Sequence, residues 1–74
     1  MNNKYNLKYF NENKVVVKEN SYMQAYDLDG HRIGIWGNDR GTHYAVAVDG
    51  VTIATRARHS NTIRLALAYL NERS

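Results

Sequence analysis

The sequence predicts an α+β fold, in which an antiparallel meander sheet of about five to six strands carries one C-terminal helix on one face. Two Asp-Gly pairs, Asp29-Gly30 and Asp49-Gly50, each stand between alternating apolar residues, which is typical of a two-residue hairpin turn. After residue 60 the apolar period changes from two to 3.6, which indicates a helix. The 74 residues form one domain, since so short a chain does not divide into two.

Residues 1–20 are predicted to form an N-terminal hairpin. In "YNLKYF" (5–10), Tyr5, Leu7 and Tyr9 alternate with Asn6, Lys8 and Phe10. "KVVVK" (14–18) is a β-branched run typical of strands. The intervening "NEN" would be the hairpin loop. The lysines that flank the valines are typical of an edge strand protected against pairing with other chains.

Residues 21–58 are predicted to form the meander. The first Asp-Gly turn pairs Leu28 with His31, Asp27 with Arg32, Tyr26 with Ile33, Gln24 with Ile35 and Met23 with Trp36. The second turn pairs Val48 with Val51, Val46 with Ile53, Tyr44 with Thr55 and His43 with Arg56. Opposite charges on neighbouring strands support the first register by a few tenths of a kcal/mol.

The loop "GNDRGT" connects the two hairpins. If Gly37 and Thr42 close a four-residue loop, the apolar set stays on one face of the sheet. The strand pairs that this loop predicts are Ile35 with Tyr44, Ile33 with Val46 and Trp36 with His43.

The C-terminal helix is predicted over residues 60–72. Its apolar stripe consists of Ile63, Ala66, Leu67 and Leu70, which Leu65 and Tyr69 widen. Ser60 or Asn61 would cap its first turn, because both residue types accept hydrogen bonds from the free amides there.

The predicted register sorts the meander into two unlike faces. The core face would pack under the helix and carries Tyr22, Tyr26, Leu28, Ile33, Ile35, Tyr44, Val46, Val48, Val51 and Ile53. The second face mixes small, charged and aromatic groups: Met23, Ala25, Asp27, Arg32, Gly34, Trp36, His43, Ala45, Ala47, Thr52, Ala54, Arg56 and Arg58.

One lateral row of the second face is the predicted partner-binding site. It consists of Met23, Trp36, His43 and Arg56, with Arg58 one step further along its strand. Trp, Met and Arg are enriched at binding surfaces because they offer contact area and a charge that tolerates partial desolvation. The alternative is that the N-terminal hairpin covers Trp36 for packing alone and that the arginines only keep an edge hydrated.

The net charge of +3 is concentrated in the last third of the chain. Residues 1–50 carry equal numbers of basic and acidic groups. Residues 51–74 carry Arg56, Arg58, Arg64 and Arg73 against Glu72 alone. An acidic partner would be attracted to this end, although a dedicated nucleic-acid binder usually carries a stronger basic stripe.

The absence of cysteine excludes a disulfide framework and a thiolate metal site. "MNNKYNLKYF" lacks the apolar core of a signal peptide, and no run approaches the roughly 18 apolar residues that would span a bilayer. We therefore expect a cytoplasmic protein without a membrane partner.

Catalytic and metal-binding patterns are not found in the sequence. His31, His43 and His59 do not stand at the spacing of a zinc site. Ser60 adjoins a histidine, but neighbours on a strand end point apart. Asp27 is committed to an arginine, so no carboxylate pair remains for glycosidase chemistry. We expect no cofactor and no enzymatic activity.

The segment "VDGVTIATRARHSNTIRLALAYL" is similar to the C-terminal part of double-stranded-RNA-binding domains and to small three-stranded DNA-binding domains. The resemblance implies phosphate contacts by Arg56, Arg58 and Arg64. The double-stranded-RNA family has a lysine pair after the serine, whereas Asn61 and Thr62 stand here. The predicted N-terminal strands also replace that family's first helix.

The chain as a whole resembles the small phage- or mobile-element-encoded inhibitors of host machinery, anti-CRISPR proteins among them. The resemblance is one of type: a very short, cysteine-free single domain with a meander, one helix and no catalytic motif. It implies a viral inhibitor in the host cytoplasm, monomeric or homodimeric, that blocks a surface of a larger protein or nucleoprotein complex. The alternative is a small nucleic-acid-binding domain.

Overall fold

The computed structural model describes residues 3–38 and 40–73. Its elements are α1 (Leu7–Asn13), β1 (Val15–Glu19), β2 (Met23–Leu28), β3 (His31–Gly37), β4 (Tyr44–Val48), β5 (Val51–Ala57) and α2 (His59–Arg73). The strands form one sheet in the order β1-β2-β3-β4-β5, with every neighbouring pair antiparallel. The predicted α+β fold, a meander with a C-terminal helix, is therefore confirmed.

The first hairpin forms in the predicted register, and each of its five predicted strand pairs is present. Both Asp-Gly turns adopt the positive φ angles that the prediction required: 52° at Asp29, 82° at Gly30, 52° at Asp49 and 84° at Gly50. These angles belong to the left-handed region, which Gly and Asp tolerate better than most residues do. The turn sequence therefore decides the register locally.

The predicted N-terminal strand at residues 5–10 is wrong, because this segment begins helix α1. Asn6 caps the helix, and its Oδ1 accepts a hydrogen bond from the amide of Tyr9 at 2.8 Å. Phe10 is buried, with its ring 5.3 Å from the Tyr26 ring in an edge-to-face arrangement. Phe10 stands where strict alternation would place a polar residue, and its burial favours the helix. "NEN" ends α1, while the strand predicted at 14–18 is confirmed as β1.

The predicted register between β3 and β4 is wrong by two residues. The observed pairs are Ile33 with Val48, Gly34 with Ala47, Ile35 with Val46, Trp36 with Ala45 and Gly37 with Tyr44. A shift of two keeps every side chain on its predicted face. His43 consequently lies in the loop before β4 instead of opposite Trp36.

Asn38 and Gly37 explain this shift. The Oδ1 of Asn38 accepts a hydrogen bond from the amide of Thr42 at 2.9 Å, and the Asn38 amide donates to the carbonyl of His43 at 2.9 Å. These bonds hold a longer loop than the four residues expected. A Cβ atom at Gly37 would stand 2.9 Å from Cε2 of Tyr44, so glycine makes room for the tyrosine ring.

The register between β4 and β5 also departs from the prediction, because β5 contains two bulges. The pair of Val48 with Val51 is confirmed. Val46 then pairs with Ala54 instead of Ile53, Tyr44 pairs with Ala57 instead of Thr55, and His43 pairs with no residue of β5. Each extra residue bends a bulged strand. The bend brings Ala57 into the core with 7% exposure, where α2 begins.

The hydrophobic core lies between one face of the sheet and the two helices. Its buried residues are Tyr5, Phe10, Tyr26, Leu28, Ile33, Ile35, Val46, Val48, Ala57, Ala66, Leu67 and Leu70. Ile53 and Ala54 both pack against this cluster, although Ala54 was predicted on the second face. Tyr22 and Val51 were predicted in the core but are 60% and 51% exposed, since Tyr22 lies just before β2 and Val51 is the first residue of β5.

Helix α2 confirms the predicted C-terminal helix, and it begins at His59, one residue earlier than expected. Ser60 and Asn61 therefore lie inside its first turn and do not cap it. Thr62 is buried as well, and its hydroxyl donates to the carbonyl of His59 at 2.9 Å. A buried threonine satisfied in this way is compatible with a helix.

Asp29 of the first turn anchors the segment before α1 and the first turn of α1 itself. Lys4 Nζ lies 3.0 Å from its Oδ2, and the Tyr9 hydroxyl lies 2.8 Å from both of its carboxylate oxygens. Asn71 of α2 holds the same segment through two hydrogen bonds to the backbone of Tyr5, at 2.9 and 3.0 Å. The N-terminal segment is thus attached to both the sheet and α2.

Replacing Asp29 with asparagine is expected to lower the melting temperature at pH 7. Hydrogen bonds from Lys4 and Tyr9 lower the pKa of Asp29 below its usual value. The resulting stabilisation is present above the unfolded pKa and is lost as the pH falls through the lower folded pKa. Asparagine retains the preference for positive φ. Thermal unfolding at pH 7, 4 and 2.5, followed by circular dichroism, should show a gap that closes in acid.

The exposed carboxylate of Glu12 in α1 provides the matched control. Glu12→Gln removes the same charge and should leave the melting temperature close to that of the unchanged chain. A gap between Asp29→Asn and the unchanged chain that persists undiminished at pH 2.5 would attribute the loss to turn geometry and contradict the electrostatic explanation.

Candidate protein-binding face

Both helices pack on the same face of the sheet, which leaves the other face uncovered in the described chain. Phe10 of α1 and the buried residues of α2 join the core cluster on the covered side. We call the other side the open face. According to the strand register, it consists of Val15, Lys18, Met23, Ala25, Asp27, Arg32, Gly34, Trp36, Ala45, Ala47, Thr52, Thr55 and Arg56.

The middle of the open face is a floor of small residues. Ala25, Gly34 and Ala47 lie side by side on three neighbouring strands, because Gly34 pairs with both alanines. Ala45 lies next to this row and on the same face, since it stands two residues before Ala47 on β4. Small side chains leave the backbone accessible, so another surface can approach the sheet closely here.

Trp36 and Met23 border this floor. They form a direct cross-strand pair, as the sequence predicted. Trp36 is 38% exposed, and its Cζ3 lies 3.8 Å from the position that a Cβ atom of Gly34 would occupy. The indole therefore lies against the floor and still presents much of its surface to solvent.

The structure brings only part of the predicted row together. Met23 and Trp36 are neighbours, but Ala45 occupies the place predicted for His43 beside Trp36. The hydroxyl of Thr42 lies 3.2 Å from His43 Nδ1 in the loop. Arg56 is on the open face, since the flanking Ala54 and Ala57 pair with the covered side of β4.

Arg58 follows β5 directly, and its side chain is exposed. Arg64 lies in α2, on the helical layer, and lines a groove with Tyr5 and Leu7. The three arginines predicted to contact phosphates therefore do not share one face.

Three residues of the open face were not included in the predicted face: Val15, Lys18 and Thr55. Thr55 joins the open face because the bulges of β5 shift it from its predicted place opposite Tyr44. Val15 pairs with Asp27, and Lys18 pairs with Ala25. The mistaken N-terminal strand hid both, because β1 was assigned to a hairpin with residues 5–10. The signal available in the sequence was the β-branched run itself, which requires a neighbouring strand.

Carboxylates near the open face are compensated internally. Arg32 donates through Nε and Nη2 to the two oxygens of Asp27, and these hydrogen bonds lower the pKa of Asp27. Asp49 accepts from the amide of Arg32 at 2.8 Å and lies 2.7 Å from His31 Nδ1, and both contacts lower its pKa. The carboxylates at this end of the sheet thus already have hydrogen-bond partners within the chain.

Lys18, Arg56 and Arg58, by contrast, have no side-chain hydrogen bond or ion pair to any residue in the described ranges. All three are exposed. Lys18 stands at the β1 edge of the open face, and the two arginines stand at the β5 edge. The uncompensated charge around the open face is therefore positive at both edges.

Two of the three histidines lie against other side chains. His31 is engaged with Asp49, and the His59 ring lies edge-on to the Tyr44 ring at 4.9 Å. Within residues 3–38 and 40–73, no group of three His, Cys, Asp or Glu side chains could hold a metal ion. No described helix is both long and apolar enough to cross a bilayer.

No family model, curated protein or solved structure matches the chain.

Proposed function

We propose that the protein is a small non-enzymatic binding module that docks its open face onto a larger protein. One observation carries this proposal: the exposed Trp36 lies beside the half-buried Met23, next to a floor of small residues that no described element covers. Trp and Met are typical centres of protein interfaces, where burial of a large side chain supplies much of the binding energy.

The core does not depend on Trp36 for its packing. Its buried side chains belong to the covered face, and Leu28, Ile33 and Val46 are completely buried there. A tryptophan placed on the opposite face costs solubility without adding to this core. Contact with a partner accounts for its position.

Inhibition is the form of activity that this architecture supports best. A domain of 74 residues that presents one binding face can alter a larger protein by occupying its surface. The type resemblance to phage-encoded inhibitors, including the anti-CRISPR proteins, supports the same proposal. The partner would be a host protein or nucleoprotein complex in the cytoplasm, and the module would act as a monomer or homodimer.

Nucleic-acid binding is less well supported. Helix α1 precedes the sheet, so the chain does have a first helix, as the double-stranded-RNA family does. The family's lysine pair, however, is replaced by Asn61 and Thr62. Arg64 also lies on a different layer from Arg56, which separates the phosphate contacts that the resemblance implied.

Site-specific photo-cross-linking in the cells that produce the protein tests the proposal. A cross-linking residue at Thr52, exposed on the open face, should give a discrete protein adduct. The same residue at Lys8, exposed on α1, should give none. An adduct that nuclease treatment removes, or equal adducts from both positions, would contradict a protein-binding open face.

A further inference from the structure

We infer that the open face recognises an acidic protein surface, whose carboxylates flank an apolar centre. The inference rests on the proposed function and specifies the partner's chemistry. It follows from two features of the open face: the unpaired positive charges at its edges and the floor of small residues between them.

The first step concerns the sign of the charge. Asp27, Asp29 and Asp49 are each bound to a basic side chain within the chain. Lys18 and Arg56 on the open face have no such partner among the described residues. A docked surface would desolvate these cations, so its own carboxylates must replace the lost hydration.

The second step concerns spacing. Lys18 stands on β1 and Arg56 on β5, the two edges of the five-stranded sheet. Four interstrand spacings separate them, which is about 19 Å along the sheet. Small residues lie on the three strands between these edges: Ala25 on β2, Gly34 on β3 and Ala47 on β4. A complementary surface would therefore carry acidic groups about 19 Å apart on either side of an apolar contact.

The same charges disfavour two other occupants. A second copy of this chain, packed face to face, would bring two sets of basic edges together, and like charges repel. A nucleic-acid backbone presents closely spaced phosphates and favours a continuous basic stripe. The open face instead separates its cations by apolar residues and includes the carboxylate of Asp27.

The experiment uses three probes and the 15N-labelled protein. The first probe is a synthetic helical peptide with glutamates near both ends, about 19 Å apart, and an alanine- and leucine-rich centre. The second is the same peptide with glutamine at each glutamate. The third is a 20-base-pair DNA duplex. Amide shifts of Gly34 and Ala47 report on the open face, and Trp36 fluorescence gives the affinity.

We expect the glutamate peptide to shift both amides and to bind about tenfold more tightly than the glutamine peptide at low salt, since several exposed ion pairs act together. The double substitution Arg56→Glu and Arg58→Glu should remove this advantage. Arg64→Glu on α2 changes the charge equally per site and should leave the advantage unchanged.

Two results would overturn the inference in distinguishable ways. Equal binding of both peptides to the open face would refute acidic recognition and leave the proposed docking face intact. Failure of both peptides to shift Gly34 and Ala47, or tighter binding of the duplex at the same salt, would refute acidic protein recognition and also count against the proposed function.

Discussion

The substitution Trp36→Ala is expected to weaken partner binding strongly and to leave the fold in place. Truncating a central interface tryptophan typically costs about 2–4 kcal/mol, which is a loss of affinity of about 30- to 1000-fold. Trp36 is 38% exposed and touches the small-residue floor, so the buried core is unchanged by its removal. Adduct yield from the Thr52 cross-linker and titration against the captured partner would measure the loss.

Tyr22 provides the matched aromatic control for this prediction. It is 60% exposed, and it precedes β2, outside the strand residues that form the open face. Tyr22→Ala should retain the affinity of the unchanged protein. An equal loss of affinity from both variants would show that the partner does not bind specifically at the open face. A circular dichroism spectrum of an unfolded chain for Trp36→Ala would show that the indole supports the fold.

The substitution Ile33→Ala is expected to remove a large part of the folding free energy. Ile33 is completely buried at the centre of the sheet, between β2 and β4. Truncating such a residue costs about 2–5 kcal/mol, because transfer free energy is lost and a cavity remains. A domain of this length has a total stability of roughly 4–11 kcal/mol. Urea unfolding should therefore show a strongly lowered midpoint or an unfolded chain.

Two milder substitutions test the same prediction even if the Ile33→Ala chain is unfolded. Ile33→Val removes one methylene and should cost about 0.5–1.5 kcal/mol. Val51→Ala, at a position that is 51% exposed, should cost less than Ile33→Ala by a wide margin. Similar losses for Ile33→Ala and Val51→Ala would contradict the assignment of the core to the covered face.

The two substitutions test opposite sides of the same sheet. Ile33 and Trp36 both belong to β3, three residues apart, and their side chains therefore point to different faces. Loss of stability from one and loss of binding from the other would show that the covered face maintains the fold while the open face is available for a partner.

The candidate site was predicted in part. Met23 beside Trp36 followed from the first Asp-Gly turn, because a two-residue turn fixes the register of the hairpin around it. The place of His43 could not be predicted, since it depends on how Asn38 folds the loop. Lys18 entered the open face through the pairing of β1 with β2, which no local pattern specifies.

Local sequence by itself determined the two Asp-Gly turns, the order of the meander and helix α2. Each depends on interactions between near neighbours: positive φ at Asp29, alternation along a strand, and a 3.6-residue apolar period. Tertiary structure alone decided helix α1, where Phe10 packs on Tyr26, and the bulges that bring Ala57 under α2. The physical reason is that these features gain their free energy from contacts between distant segments, which a short pattern of residues does not contain.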